Sequence, residues 1–361
     1  MKFESIRYSG SKDKILPKID QIIQDIPLKY VLDGFSGSTR VSQYFKYKGY
    51  NTTSNDLAIY SKHIAECYLN ADKPYNHYQE IINHLNNVNP THGWFSQNYG
   101  GIDNNGTSIQ SDGLKRPFQM HVTEKLDAIR NEIDNLYPTD CVDKSVLLTS
   151  LMLALDNVCN DMGHHVSYLK DWANKSYKTL FLNVPRYTPD NLNHKVLSGD
   201  VFDIKGNFDL CYFDPPYGTS NEKTKTTRVR YFSYYHLWTT ICKNDKPILV
   251  GSSKRRYDVS SDSLPGAISE FESTKNVVVE DSFNFLAKSF ETEYTLMSYS
   301  NRSKINIDKL IEIISGNQKI EKVFKFDHKP NSQTFSVKNG EWKNNVKEPN
   351  YEYLILSKKY K

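Results

Sequence analysis

Phe208-Asp209-Leu210-Cys211-Tyr212-Phe213-Asp214-Pro215-Pro216-Tyr217 is the stretch on which the fold turns. Its first six residues read as a short buried strand, and the acid and two prolines that follow cannot extend one, because proline donates no main-chain hydrogen bond. In an open α/β sheet, ligands bind beyond the carboxyl ends of the strands, so Asp214 to Tyr217 stand where chemistry is expected.

Working outward, Lys29 to Asp33 make a second short apolar strand ending in an acid. It meets Gly34-Phe35-Ser36-Gly37-Ser38 and a helix with Val41, Tyr44 and Phe45 on one face. Tyr50 to Asn55 make a third strand, closed by Asp56 and followed by a helix around Ile59 to Leu69. This β-α-β-α order predicts an α/β fold with a doubly wound, Rossmann-like sheet. The pattern breaks over residues 72–189, where helical stretches (Thr123 to Leu136, Lys144 to Asn160) alternate with polar loops. The break predicts a mainly helical insert between two parts of one catalytic domain, 1–71 and 190–361. Strands are expected again at Lys195 to Asp200, Phe208 to Phe213, Pro247 to Ser252, Val277 to Glu280, Glu293 to Tyr299 and Tyr351 to Ser357, with a helix at Ile307 to Ile314. Asn317 to Asn350 is polar and reads as a weakly structured excursion.

Asp214-Pro215-Pro216-Tyr217 suits the activation of a planar exocyclic amine, whose lone pair is delocalised into its ring. The Asp214 carboxylate and the Pro215 carbonyl can each accept one amino hydrogen, which favours a pyramidal nitrogen and stabilises developing positive charge. Pro215 and Pro216 keep the turn rigid, and Tyr217 offers a ring face to a base swung out of a duplex. The bland alternative is a proline turn after a buried strand.

Two weaker signals accompany it. Glycines at positions 34 and 37 let the backbone approach a ligand, Asp33 can take an ammonium group, and Asp56, 23 residues on, has the spacing of a ribose-binding acid. Neither phosphate-binding glycine motif occurs, so a cofactor with ribose and ammonium but no phosphate fits best. At the N-terminus, Arg7-Tyr8-Ser9-Gly10-Ser11-Lys12 precedes a helix at Ile15 to Ile23, and Lys12 can pair with the carboxylate of an amino-acid-like cofactor, although by itself the element reads as a loop with a solvated lysine.

In this order the three elements resemble the Dam-like class of N6-adenine DNA methyltransferases, whose members carry Tyr-x-Gly-x-Lys, then Phe-x-Gly-x-Gly, then a target-recognition insert, then Asp-Pro-Pro-Tyr. The resemblance runs from about Phe3 to about Lys358. It implies an S-adenosylmethionine-dependent enzyme in which Tyr8, Ser9, Gly10 and Lys12 meet the methionine part. Asp33, Phe35, Ser36, Gly37 and Ser38 would line the pocket, Asp56 would hold the ribose, and Asp200 with Val201 would approach the cofactor's adenine. Asp214, Pro215, Pro216 and Tyr217 would be catalytic. Ser38-Thr39 and Ser11 depart from the usual glycines.

The expected partner is double-stranded DNA, with a restriction endonuclease acting separately or none at all. With 46 Lys plus Arg against 42 Asp plus Glu, the charge of +4 gives no excess that would itself identify nucleic acid. Placement matters more: Lys223, Lys225, Arg228 and Arg230 lie among Thr and Tyr after the catalytic turn, and Lys254-Arg255-Arg256 follow a strand end. A solvated basic loop is the alternative. The five widely spaced cysteines, the absence of a leader or a run of about 18 apolar residues, and the His164-His165 pair without a Cys or carboxylate at zinc-site spacing predict a soluble cytoplasmic protein with reduced thiols and no metal. Rival readings keep the fold but change the acceptor to cytosine N4, an RNA adenine or a glutamine amide, or make the chain a non-catalytic DNA-binding subunit.

Overall fold

The computed structural model describes residues 2–216, 230–259, 269–327, 335–338, 341–344 and 351–360. Its first half carries α1 (Leu16–Ile23), β1 (Tyr30–Asp33), α2 (Arg40–Tyr47), β2 (Asn51–Asn55), α3 (Ile59–Ala65), α4 (Tyr75–Asn87), α5 (Trp94–Tyr99), β3 (Gly100–Gly101), β4 (Phe118–Gln119), α6 (Met120–Leu136) and α7 (Val142–Val158). The second half carries β5 (Lys195–Leu197), β6 (Asn207–Phe213), α8 (Tyr231–Tyr234), α9 (His236–Lys243), β7 (Leu249–Val250), β8 (Arg255–Arg256), α10 (Asn276–Ser289) and β9 (Glu291–Ser300). The last elements are α11 (Ile307–Ser315), β10 (Gln318–Asp327), β11 (Phe335–Lys338), β12 (Glu341–Asn344) and β13 (Tyr351–Lys359). The architecture is mixed α/β, and among the described residues its main sheet has seven strands. The chain divides into two compact units: Met1–Pro17, Ser36–Val201 and Tyr231–Ile268 form the first, and Lys18–Phe35, Phe202–Arg230 and Ser269–Lys361 the second. Among the described residues no helix is long and apolar enough to cross a membrane.

The second unit holds five of those strands in the order β10-β13-β9-β6-β1. β1, β6 and β9 run parallel, and β13 and β10 continue antiparallel. Val31, Leu32, Leu210, Cys211 and Phe213 are buried, which explains why β1 and β6 read as continuous apolar runs rather than alternating ones. The Asp209 carboxylate accepts hydrogen bonds from the amides of Lys29 and Tyr30 and so fixes the start of β1. Two expectations fail in this unit. Val277 to Glu280 is the first turn of α10 rather than a strand: Val279, Phe283 and Leu286 recur at helical spacing on its buried face, and that period outweighs the β-branched run. Within Asn317 to Asn350, Gln318–Asp327 is the edge strand β10, paired along β13, and its Lys and Glu residues give it the polar composition of a protected edge.

The first unit holds the parallel pair β2 and β5, in register from Thr53–Lys195 to Asn55–Leu197. Around it packs a helical core centred on α7, whose Leu147, Leu148, Leu151, Met152 and Leu155 are all buried; a helix apolar on every side belongs inside. Residues 72–189 supply α4 to α7. From α6, Asp127 accepts hydrogen bonds from the amides of Gly93, Phe95 and Ser96 and so caps α5, and Arg130 donates to the carbonyls of Ile241 and Cys242 at the end of α9. The strand expected at Pro247 to Ser252 is only Leu249–Val250, paired antiparallel with Arg255–Arg256 in a separate hairpin. Positive φ at Gly251 (72°) and Lys254 (51°) turns the chain back after two residues.

Candidate active site

In the second unit, Asp33 closes β1 opposite Tyr212 of β6, and the amide of Gly34 donates to the Tyr212 carbonyl at 3.0 Å. Asp214 follows two residues later, so both acids stand at the carboxyl ends of neighbouring parallel strands. Asp33 is buried, Pro215 is buried, and Asp214 and Pro216 are half-buried. Phe35 packs edge-on against Phe213 at 6.2 Å and Phe271 at 5.3 Å, and Phe202 meets Phe271 and Phe285, so an aromatic cluster braces the strand ends. Tyr217 lies outside the described residues.

In the first unit, Tyr8, Ser9 and Gly10 belong to no helix or strand, and side chains fix them. Tyr8 stacks on Tyr235 with ring centres 4.5 Å apart, the Ser9 amide donates to the Tyr235 hydroxyl at 2.6 Å, and the Tyr231 hydroxyl donates to the Ser9 carbonyl at 3.2 Å. Arg40, at the start of α2, donates to the Ser11 hydroxyl and to carbonyls of Phe3, Ser5 and Ile6. Gly37 has φ +48°, and a Cβ there would lie 2.9 Å from the Tyr8 ring, so this position needs glycine on two counts. The Tyr8 side chain is therefore a packing element.

Within the first unit, Asp56 joins the glycine loop to the start of α3. Its Oδ2 accepts from the Gly37 amide at 2.7 Å and its Oδ1 from the Ala58 amide at 2.8 Å. Burial lifts its carboxyl above the usual range although both amides oppose the shift. A carboxylate has about four lone-pair positions, so these two amides leave two that can accept further donors. Ser36 and Ser38 are buried, the Ser36 amide donates to the Asn55 carbonyl, and the Asn55 side chain donates to the Gly199 carbonyl at 3.1 Å. That bond ties the loop before Asp200 and Val201 to the end of β2. Lys12 is buried, only 7% exposed.

The DNA candidates divide. Lys223, Lys225 and Arg228 lie outside the described residues, and Arg230 is half-buried just before α8. Lys254 sits at the hairpin turn, its carbonyl accepting from the Tyr99 hydroxyl at 2.8 Å and its Nζ 3.9 Å from Asp112. Arg255 is half-exposed. Arg256 departs from expectation: it is 2% exposed and forks onto Asp245 and Asp258, an ion-paired structural role that occupies four of its five N–H donors.

Sequence reasoning missed a buried node beside the N-terminal element. Cys159, Asp161 and His165 bring ligand-type atoms within 4.8 Å of one another, so His165 does have a Cys and a carboxylate beside it. Arg7 reaches the same Asp161 at 2.7 Å and Lys175 lies at 3.6 Å, and these cations supply the charge that a metal would bring. Burial pushes His165 down to about 4. Burial also works to raise the Asp161 carboxyl, but His165, Arg7 and Lys175 outweigh it and hold it low. Tyr231, Tyr235 and the Arg7 node gave no signal in the sequence, because their partners lie far along the chain.

Acids at the carboxyl ends of parallel strands are the arrangement of a mixed α/β domain of the nucleotide-handling type. The model of the D12 class N6 adenine-specific DNA methyltransferase matches residues 8–277. The chain belongs to that family. It is 28% identical to the modification methylase LlaI of Lactococcus lactis subsp. lactis over 85% of its own length and 48% of that protein. To the modification methylase StsI of Streptococcus sanguinis the identity is 25%, over 86% of this chain and 46% of the relative. It therefore spans about half the length of both. Against the type II methyltransferase M.NlaIII of Neisseria lactamica it is 23% identical, over 98% of this chain and 99% of the relative.

Proposed function

We propose that this chain is a site-specific DNA methyltransferase that moves a methyl group from S-adenosylmethionine to N6 of adenine in double-stranded DNA, and that within its family it lies with the Dam-like members. Its similarity to modification methylases supports a place in a restriction-modification system, the nuclease acting separately. The observation that carries the reading is Asp214-Pro215-Pro216 emerging at the end of β6, with Asp33 at the end of the adjacent parallel β1.

The residues fit S-adenosylmethionine by their chemistry. From the first unit, Lys12 suits the carboxylate of the methionine part, the remaining lone pairs of Asp56 suit ribose hydroxyls, and Asp200 with Val201 suits the adenine side. From the second, Asp33 suits the ammonium. When bound, this cofactor supplies a methyl carbon made electrophilic by its sulfonium.

The rest falls to the chain's own groups. The Asp214 carboxylate and the Pro215 carbonyl accept the two amino hydrogens of the target base, which turns the nitrogen lone pair out of conjugation. Both acceptors are oriented before the base arrives, because consecutive prolines fix the turn. The Asp214 carboxylate would stabilise the positive charge that develops on the amine nitrogen as it is methylated, and the excess proton would then leave the nitrogen for solvent. Tyr217 serves as the stacking face for the flipped base, and Lys254 and Arg255, with the basic residues of 223–230, serve the phosphates.

The test uses the purified chain, unmethylated duplex DNA and S-adenosylmethionine carrying a labelled methyl, followed by digestion to nucleosides. Label is expected in N6-methyldeoxyadenosine. Label in N4-methyldeoxycytidine would change the acceptor, and unlabelled DNA despite a bound cofactor would end the proposal.

A further inference from the structure

Three consecutive residues at the N-terminal element are held from three sides. The Arg7 amide donates to Asp156 Oδ2 at 2.8 Å, its Nε to Asp156 Oδ1 at 3.0 Å, and its Nη2 to the Asp156 carbonyl at 2.9 Å and to Asp161 Oδ1 at 2.7 Å. Asp156 lies in the last turn of α7, where main-chain carbonyls attract a cation. Asp161, 5% exposed, also accepts from the Gly163 amide. Tyr235 stacks under Tyr8 and takes the Ser9 amide, and Tyr231 donates to the Ser9 carbonyl.

This segment has no ladder or helix of its own, so these groups supply its rigidity. A backbone that meets a ligand binds more weakly when it must first be ordered, and a backbone fixed beforehand avoids that loss. We propose that Arg7 and Tyr235 are positioning residues: they hold Tyr8–Gly10 in the shape that receives S-adenosylmethionine, and set its affinity without touching it. The inference rests on the proposed function and on the family resemblance, by which Tyr8, Ser9 and Gly10 would meet the methionine part of the cofactor. It assigns to α7 and the segment after it, which lie within residues 72–189, a part in cofactor binding that the expectation of a target-recognition insert did not include.

Calorimetric titration of the full chain with S-adenosylmethionine, without DNA, tests it alongside thermal melting in the same buffer. Tyr235→Phe keeps the stacked ring and removes only the acceptor for Ser9. Arg7→Lys keeps the charge and loses the fork. Arg256→Lys, which damages an ion-pair node of the same kind on Asp245 and Asp258, is the control. Tyr235→Phe is expected to raise Kd about tenfold, the worth of a typical net hydrogen bond, with cooperative melting kept and kcat at saturating cofactor near that of the parent. Arg7→Lys is expected to raise Kd by at least as much, and Arg256→Lys to lower the melting temperature with Kd unchanged. If Tyr235→Phe melts cooperatively and its Kd stays within about twofold of the parent, the clamp is structural only and the inference is overturned. Should Arg7→Lys fail to fold, Tyr235→Phe alone decides. If the parent chain binds no S-adenosylmethionine, the underlying functional reading fails, and that outcome is recognised before any variant is made.

Discussion

Asp33 and Asp214 stand at the ends of neighbouring parallel strands, set by a ladder of main-chain hydrogen bonds and an aromatic cluster beneath. Tyr8 to Gly10 have no such ladder, and are held by side chains, the Ser9–Tyr235 bond spanning 226 positions. The difference teaches that a chemical group which must not move is well served by a sheet, whereas a backbone that must fit a ligand's contour is shaped by individual latches. It also predicts different responses to damage: loss of chemistry in the ladder-held region, and loss of affinity in the latched one.

The largest effect should come from the ladder-held side. Asp214→Ala is expected to slow methyl transfer by about 10³-fold or more while the Kd for S-adenosylmethionine stays near that of the parent, read by single-turnover labelling and calorimetry. Equal losses in both would break the contrast. On the latched side, Asp56→Asn keeps one acceptor but turns an amide donor toward another N–H group. Cofactor affinity should fall roughly 10- to 100-fold, the range for a hydrogen bond to a charged group, with a smaller change in kcat. A kcat loss at unchanged affinity would move Asp56 out of cofactor binding.

Protonation sharpens the comparison further. His165 titrates at about 4 in the folded chain against an ordinary 6.5, so the unfolded state takes up a proton that the folded state refuses. Stability is therefore expected to fall as pH drops from about 6.5 to about 4, by at most about 1.4 kcal/mol per pH unit from this residue, and to be unaffected by it above that window. His63, also pushed down to about 4 by burial, adds to the slope in the parent chain. Denaturant unfolding across pH 7 to 4.5 should give a shallower slope for His165→Gln than for the parent, and an identical slope would show that the latch region does not hold this histidine neutral. The smallest effect concerns DNA. Arg255→Gln should weaken binding alike on all sequences and reduce the slope of log affinity against log salt by about one, whereas Arg256→Gln should leave that slope unchanged and lower the melting temperature.

The contrast also accounts for what could be read in the residues. Strands β1, β2, β6, β9 and β13 stood out because buried strands and the acids that close them are contiguous in sequence, and the same holds for Asp33, Asp56 and Asp214. α10 was hidden by three successive valines that mimic a strand, and β10 by the polar surface of an edge. The latches were invisible for another reason. Arg7 with Asp161 and Tyr8 with Tyr235 are pairings made by tertiary folding, and no local period or spacing announces them; Cys159, Asp161 and His165, by contrast, lie within seven residues of one another and give no signal because they match no zinc-site spacing. Arg256 shows the converse, since a basic run suggests an exposed surface and cannot reveal that Asp245 and Asp258 close over one of its members.

One measurement reaches the centre of this account: long-read sequencing that registers modified bases, applied to DNA from a methylation-free host expressing the chain. Methylated N6 is expected on adenine within one short recurring sequence, and to vanish with Asp214→Ala. Adenines left bare throughout, with folded protein present and S-adenosylmethionine bound to it in vitro, would contradict it.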